Sequence, residues 1–233
     1  MIRRLLALLL SLCLVSPAWG AVAFDAASNG SYDGGDPPHE FSWSHTCTGC
    51  NYLAVCVAHT TGPTVSGITY GAQSLTLRQT FFGDTNGAEY WDLLAPATGA
   101  NTITVIMAES NLAAAGAVTF SGVDQTTPRG TIVTADVVDG DITVNVTVAA
   151  GGIATDCLYT SNAPAPVVGA GQTERFNQTS PTPFVTAAGS TEGGTGVVAM
   201  SWSSLDAEVG KIIAVPLNGA TAPTGSSVAR RRH

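Results

Sequence analysis

Charge is what this chain has least of. Charged residues make up 11% of its 233 residues, against about 25% in ordinary soluble domains. Between Ala21 and Ala229 the cationic side chains are Arg78, Arg129, Arg175 and Lys211, set against all seventeen acids. Such a surface repels phosphate backbones, which argues against nucleic acid as a partner. Beyond the first twenty residues no apolar run approaches the roughly 20 residues that a membrane-spanning helix needs. Enzyme signatures are missing as well: there is no GxSxG, no P-loop and no dinucleotide GxGxxG.

The start of the chain is of a different kind. Met1-Ile2-Arg3-Arg4 is followed by an apolar run from Leu5 to Val15 and by Ser16-Pro17-Ala18-Trp19-Gly20. A basic start, a short apolar core and a small-residue exit are the parts of a secretory signal peptide, with cleavage expected after Gly20. The expected organisation is a signal peptide over 1–20, one domain over 21–220, and a disordered tail over 221–233 ending in Arg230-Arg231-Arg232-His233. The expected address is secreted, at the cell surface or in a periplasm.

Cysteine usage agrees with export. Cys47, Cys50, Cys56 and Cys157 remain after processing, an even number with three pairings open. The favoured set joins Cys47 to Cys50 in a small loop and Cys56 to Cys157 between two strands. A zinc site on His45, Cys47 and Cys50 lacks the second ligand pair that such sites use.

Runs of β-branched and alternating residues, broken by Gly, Pro, Asn and Asp, recur along the mature chain. They predict about fifteen short strands and an all-β fold, a two-sheet antiparallel β-sandwich of jelly-roll type. A helix is weighed over Asn111–Gly116, where alanine is frequent, but Val118-Thr119-Phe120 follows at strand period. No internal repeat is evident by inspection. In "VSGITYGAQSLTLRQTFF" (65–82) the Gly71-Ala72 step reads as a type II′ turn, with glycine supplying the positive φ. That turn would pair Tyr70 with Gln73, Thr69 with Ser74 and Ile68 with Leu75. It would set Ile68, Tyr70, Leu75 and Leu77 on one face.

Six phrases in order resemble a module of secreted and surface-associated bacterial proteins and some phage-related proteins. They are "FSWSHTCTGCNYLAVCV" (41–57), "SGITYGAQSLT" (66–76), "AEYWDLLAPATGANTITV" (88–105), "VTFSGVDQTTPRGT" (118–131), "GAGQTERFNQT" (169–179) and "VAMSWS" (198–203). The resemblance implies a jelly-roll sandwich found beside adhesion or sorting modules, and it implies no catalytic residues. Cys47, Cys50 and Cys56 depart from the small or apolar residues expected there.

Candidate site residues are of three kinds. Trp43, Trp91, Trp202 and Tyr90 could stack on sugar rings if exposed, although a tryptophan in a strand is more often core. Asp33, Asp36 and Glu40, in "SYDGGDPPHE", offer oxygen ligands for a structural calcium, against the plain reading of solvated turns. Glu89 and Asp92 are the carboxylate pair of a glycan-cleaving reading, but at i and i+3 on a strand they face opposite ways. No cofactor is required. The leading expectation is a secreted, non-catalytic adhesion or recognition module binding a surface glycan or a cell-surface protein. The alternatives are a structural or assembly protein of an extracellular or phage-like structure and a polysaccharide-acting hydrolase or lyase.

Overall fold

The computed structural model describes residues 20–220 except 61, 63–64, 84–85, 162–164, 183 and 204–208. The expected signal peptide and tail lie outside the described residues, apart from Gly20. Every described regular element is a strand, and every pairing is antiparallel.

The strands build four sheets, not the two expected. The N-terminal half forms an inner sheet from β1 (Ala23–Asp33), β3 (Tyr52–Thr60), β6 (Thr76–Phe82), β7 (Asn86–Leu94) and β9 (Leu112–Ser121), in the order β1-β9-β3-β7-β6. Its outer sheet is β2 (Glu40–Cys47), β8 (Gly99–Met107), β4 (Val65–Tyr70) and β5 (Gln73–Ser74), in the order β2-β8-β4-β5. The C-terminal half repeats the plan. β10 (Val133–Val138), β17 (Val209–Leu217), β12 (Ile153–Thr160), β15 (Thr186–Gly193) and β14 (Thr173–Thr179) form its inner sheet in that order. β11 (Ile142–Val148), β16 (Gly196–Ser203) and β13 (Val167–Val168) form its outer sheet.

The two inner sheets pack face to face through Tyr52, Cys56, Tyr90, Cys157, Tyr159 and Ile213. Each outer sheet covers the remaining face of its own inner sheet. This layering explains two kinds of strand sequence. β3 and β12 are buried on both faces and run apolar almost without a break, whereas β11 alternates strictly between buried and exposed residues. β9, the alanine-rich stretch weighed as a helix, is an inner strand.

Apart from β5, which has no counterpart among the described residues, the halves have one topology. The register confirms it: β6 and β14 carry a bulge at Arg78 and at Arg175, opposite equivalent points of β7 and β15. Counting from those bulges, Cys56 and Cys157 are equivalent positions. The disulfide between them therefore joins like to like, as an isologous contact about a two-fold axis does. The chain is an internal duplication, which inspection of the sequence missed. In hindsight "AVTFSG" (117–122) and "AVPLNG" (214–219) align.

Both favoured disulfides are present, with Cα–Cα distances of 5.5 Å for Cys47–Cys50 and 5.3 Å for Cys56–Cys157. The Gly71 turn pairs Thr69 with Ser74 and Tyr70 with Gln73, and Gly71 has φ +56°. Leu77 departs from expectation: beyond Leu75 the chain crosses to the inner sheet, leaving Leu77 39% exposed.

Candidate functional site

The four aromatic candidates do not come together. Trp91 is buried between the N-terminal sheets, Tyr90 between the two inner sheets and Trp202 between the C-terminal sheets. A ring that stacks on a sugar must show a face to solvent, so these three cannot form the expected platform. Their polar atoms are used inside: Trp91 Nε1 donates to Glu89 Oε2 at 2.8 Å and Trp202 Nε1 to Asp156 Oδ2 at 2.8 Å.

Trp43 is the exception. It is half-buried at the seam where β1, an edge of the inner sheet, meets β2, an edge of the outer sheet. Its indole lies on β1 at Gly30, where an added Cβ would stand 2.6 Å from the ring. Phe41 stacks beside it at 5.8 Å between centroids, and Tyr32 beside Phe41 at 5.9 Å.

A polarised chain of hydrogen bonds ties this seam. Trp43 Nε1 donates to Ser28 Oγ at 2.9 Å, and Ser28 lies 2.7 Å from His45 Nδ1. His45 Nε2 lies 3.2 Å from Thr119 Oγ1, which donates to Asp25 Oδ2 at 3.0 Å. Because the carboxylate only accepts, the proton order is fixed: Nε2–H gives to Thr119, and Nδ1 receives from Ser28. Burial lowers the His45 pKa to about 4 against the opposing charge of Asp25, so the imidazole is neutral at pH 7 as the chain requires. At the equivalent positions the C-terminal half has Val133 for Ser28, Val144 for Trp43, Val146 for His45 and Pro216 for Thr119. The fold itself does not need the chain; its effect is to fix β2.

What β2 presents is the outer face of its sheet. Ser42 pairs with Thr104, Thr104 with Thr69, and Thr69 with Ser74, one residue from each of four adjacent strands. Side chains in such a row stand roughly 4.8 Å apart. Ser44 and Thr102 form a second, shorter row beside it. Among the described residues none of these hydroxyls has a side-chain hydrogen bond, and Glu40 at the end of β2 is the one charged residue on the strands of this face. Sequence reasoning missed the rows because each hydroxyl lies on a different strand. The alternation in "EFSWSHTC" was the available signal.

The acidic candidates are separated. Glu89 and Asp92 point to opposite faces of the inner sheet, as expected, and both are buried. Glu89 faces His59 Nε2 at 3.2 Å. Asp92 takes Arg78 Nε at 2.7 Å, Arg129 Nη1 and the Tyr52 hydroxyl at 2.6 Å. Asp156, unremarked in the sequence, accepts from the Ser190 backbone at 2.6 Å and its hydroxyl at 2.9 Å. Burial raises its pKa to about 7 despite those donors. Asp33, Asp36 and Glu40 are exposed, and no close ligand cluster includes them among the described residues. Asp25, Cys47 and Cys50 do offer ligand atoms within 4.8 Å of one another, but the two sulfurs are bonded to each other.

No family model, curated protein or solved structure matches the chain. Among the described residues no helix is long and apolar enough to cross a membrane. The two disulfides are compatible with an oxidising compartment.

Proposed function

We propose that the chain is a secreted, non-catalytic recognition module that binds a neutral surface glycan on the outer face of its N-terminal sandwich. The observation that carries this reading is the row of free hydroxyls Ser42, Thr104, Thr69 and Ser74 on a face with almost no charge. Each hydroxyl donates and accepts, which suits the hydroxyls of a sugar chain laid across the strands. The net charge of −8 disfavours polyanions, and a face whose one charge is Glu40 gives a polycation little to pair with. The strand orders β1-β9-β3-β7 and β2-β8-β4-β5 support a jelly-roll reading of each half.

Native electrophoresis through gels containing neutral or carboxylated polysaccharides tests the proposal. Retardation by a neutral polymer without its depolymerisation is expected, and Ser42→Lys/Thr104→Lys should abolish it while leaving the melting temperature within a few degrees. Retardation unchanged in the double variant would remove the face from the account. A chelator arm tests a calcium at Asp33, Asp36 and Glu40, which would require the loop to close around the ion. The assembly alternative draws on the C-terminal outer sheet, where Val197 is 71% and Val167 52% exposed. Concentration-dependent sedimentation would favour that reading.

A further inference from the structure

The seam between the sheets is closed in one half and open in the other. In the N-terminal half Asp25 fills it, its Oδ2 accepting from Thr48 N and from Thr119 Oγ1, each at 3.0 Å. In the C-terminal half the register Arg129↔Leu217 matches Phe24↔Phe120, so the next residue, Gly130, takes the place of Asp25. Pro216 stands for Thr119, and Ala149 for Thr48. The plugging carboxylate and its hydroxyl partner are thus gone, while Ala149 keeps a backbone N–H, and a groove of about 410 Å³ opens there. That lies within the roughly 300–1,000 Å³ of small-ligand sites.

Gly130, Thr131, Val133, Asn145, Thr147 and Asn218 line it. None is charged. Among the described residues the side chains of Thr131, Asn145 and Thr147 have no hydrogen-bond partner, while Asn218 Nδ2 is held by Thr127 O at 2.7 Å. That bond fixes the amide of Asn218. The lining therefore sets free donors and acceptors over small apolar surfaces at Gly130, Val133 and Ala149. A charged ligand would meet no counter-charge here, and a wholly apolar one would leave the Asn145 amide and the Thr131 and Thr147 hydroxyls unpaired.

We propose that this groove is a binding site for one neutral hexose unit, with hydroxyls on Asn145, Thr147 and Thr131 and the C–H face of the ring over Val133 and Ala149. The proposal deepens the glycan reading but uses a different surface, in the opposite half of the molecule. It makes Gly130 the specificity-determining position, because a side chain there would refill the seam. Gly130 has no positive φ, and an added Cβ would meet Pro216 Cγ at 3.1 Å, so a substituent needs only a small shift of that ring.

The test is amide NMR on protein from a host that does not glycosylate asparagine, since Asn145-Val146-Thr147 is an acceptor sequence. The probes are glucose, galactose, mannose and N-acetylglucosamine, with glucuronic acid as the charged control. Saturable shifts confined to Asn145, Asn218 and their neighbours are expected with at least one neutral sugar and not with glucuronic acid. Gly130→Asp should abolish them. Asn145→Ala, which leaves the groove open and cannot strain the backbone, should weaken binding at least about tenfold, or ~1.4 kcal/mol. No saturable shift with any of the sugars, or shifts that persist unchanged in both variants, would overturn the site. Polysaccharide retardation that survives Gly130→Asp but not Ser42→Lys/Thr104→Lys would leave the outer face standing without the groove. The converse would leave the groove without the face.

Discussion

The two halves share a wiring diagram and differ in what fills it. Their inner sheets use one strand order, one bulge and equivalent cysteines, so these belong to the fold. The polar groups do not follow the symmetry. The N-terminal half has Ser28, His45 and Thr119 where the C-terminal half has Val133, Val146 and Pro216. Conversely, Asp156 and Trp202 stand where the N-terminal half has Val55 and Val105. Each half therefore serves as the other's control, separating what a sandwich needs from what was added to it. One contact shows both at once. Arg78 Nε donates to Asp92 at 2.7 Å, and the equivalent Arg175 Nε donates to the equivalent Thr191 at 2.8 Å. The geometry is kept while the charge is lost.

The largest effect should come from breaking the link between the halves. Cys56–Cys157 closes a loop of about a hundred residues, for which chain entropy gives ~4.7 kcal/mol, against ~2 kcal/mol for the four-residue Cys47–Cys50 loop. Denaturant unfolding of Cys56→Ser/Cys157→Ser and Cys47→Ser/Cys50→Ser should show the first pair losing more. Equal losses would mean that packing of the inner sheets already holds the halves together.

Removing the charge that one half kept comes next. Asp92→Asn leaves Arg78 and Arg129 without their carboxylate and should cost about 3 kcal/mol. Thr191→Ala, at the equivalent point, should cost about 1 kcal/mol. The same denaturation assay reads both.

A finer contrast concerns pH. The His45 pKa is depressed by burial to about 4 from 6.5, so its contribution is complete above about 6.5 and is lost as pH falls toward 4. The Asp156 pKa is raised to about 7, so its contribution is complete below its ordinary value near 3.8 and is lost as pH rises toward 7. The two halves should therefore respond oppositely across the same window. Melting temperatures from pH 4 to pH 7 should fall more steeply on acidification for Asp156→Asn than for the parent, and less steeply for His45→Val. Parallel profiles for the two variants would contradict this assignment. The smallest effect on stability, within about 0.5 kcal/mol, is expected for Ser42→Lys/Thr104→Lys on the solvent face.

Much of the fold was legible in the residues. Period-two runs declared the strands, Gly71 fixed a turn and its register, and the spacing of Cys56 and Cys157 in two apolar runs suggested their bridge. The four-layer arrangement was also written there, in the contrast between the unbroken apolar "YLAVCVAH" of β3 and the alternating "ITVNVTV" of β11. It went unread because an apolar run shows that both faces are covered without showing what covers them. The duplication was hidden for a related reason: a sandwich constrains burial and not identity, so His45 and Val146 can occupy one position. The site was less legible still. Trp91, Trp202 and Tyr90 look like ligand rings in sequence, and depth alone removes them. The hydroxyl row and the groove arise only when register brings residues from separate strands side by side.

The most direct test of the recognition reading is native electrophoresis of the protein through gels of neutral and carboxylated polysaccharide. The account predicts retardation by at least one neutral polymer, none by the carboxylated ones, and loss in Ser42→Lys/Thr104→Lys. Free migration through every neutral polymer, or retardation by carboxylated chains alone, would contradict it.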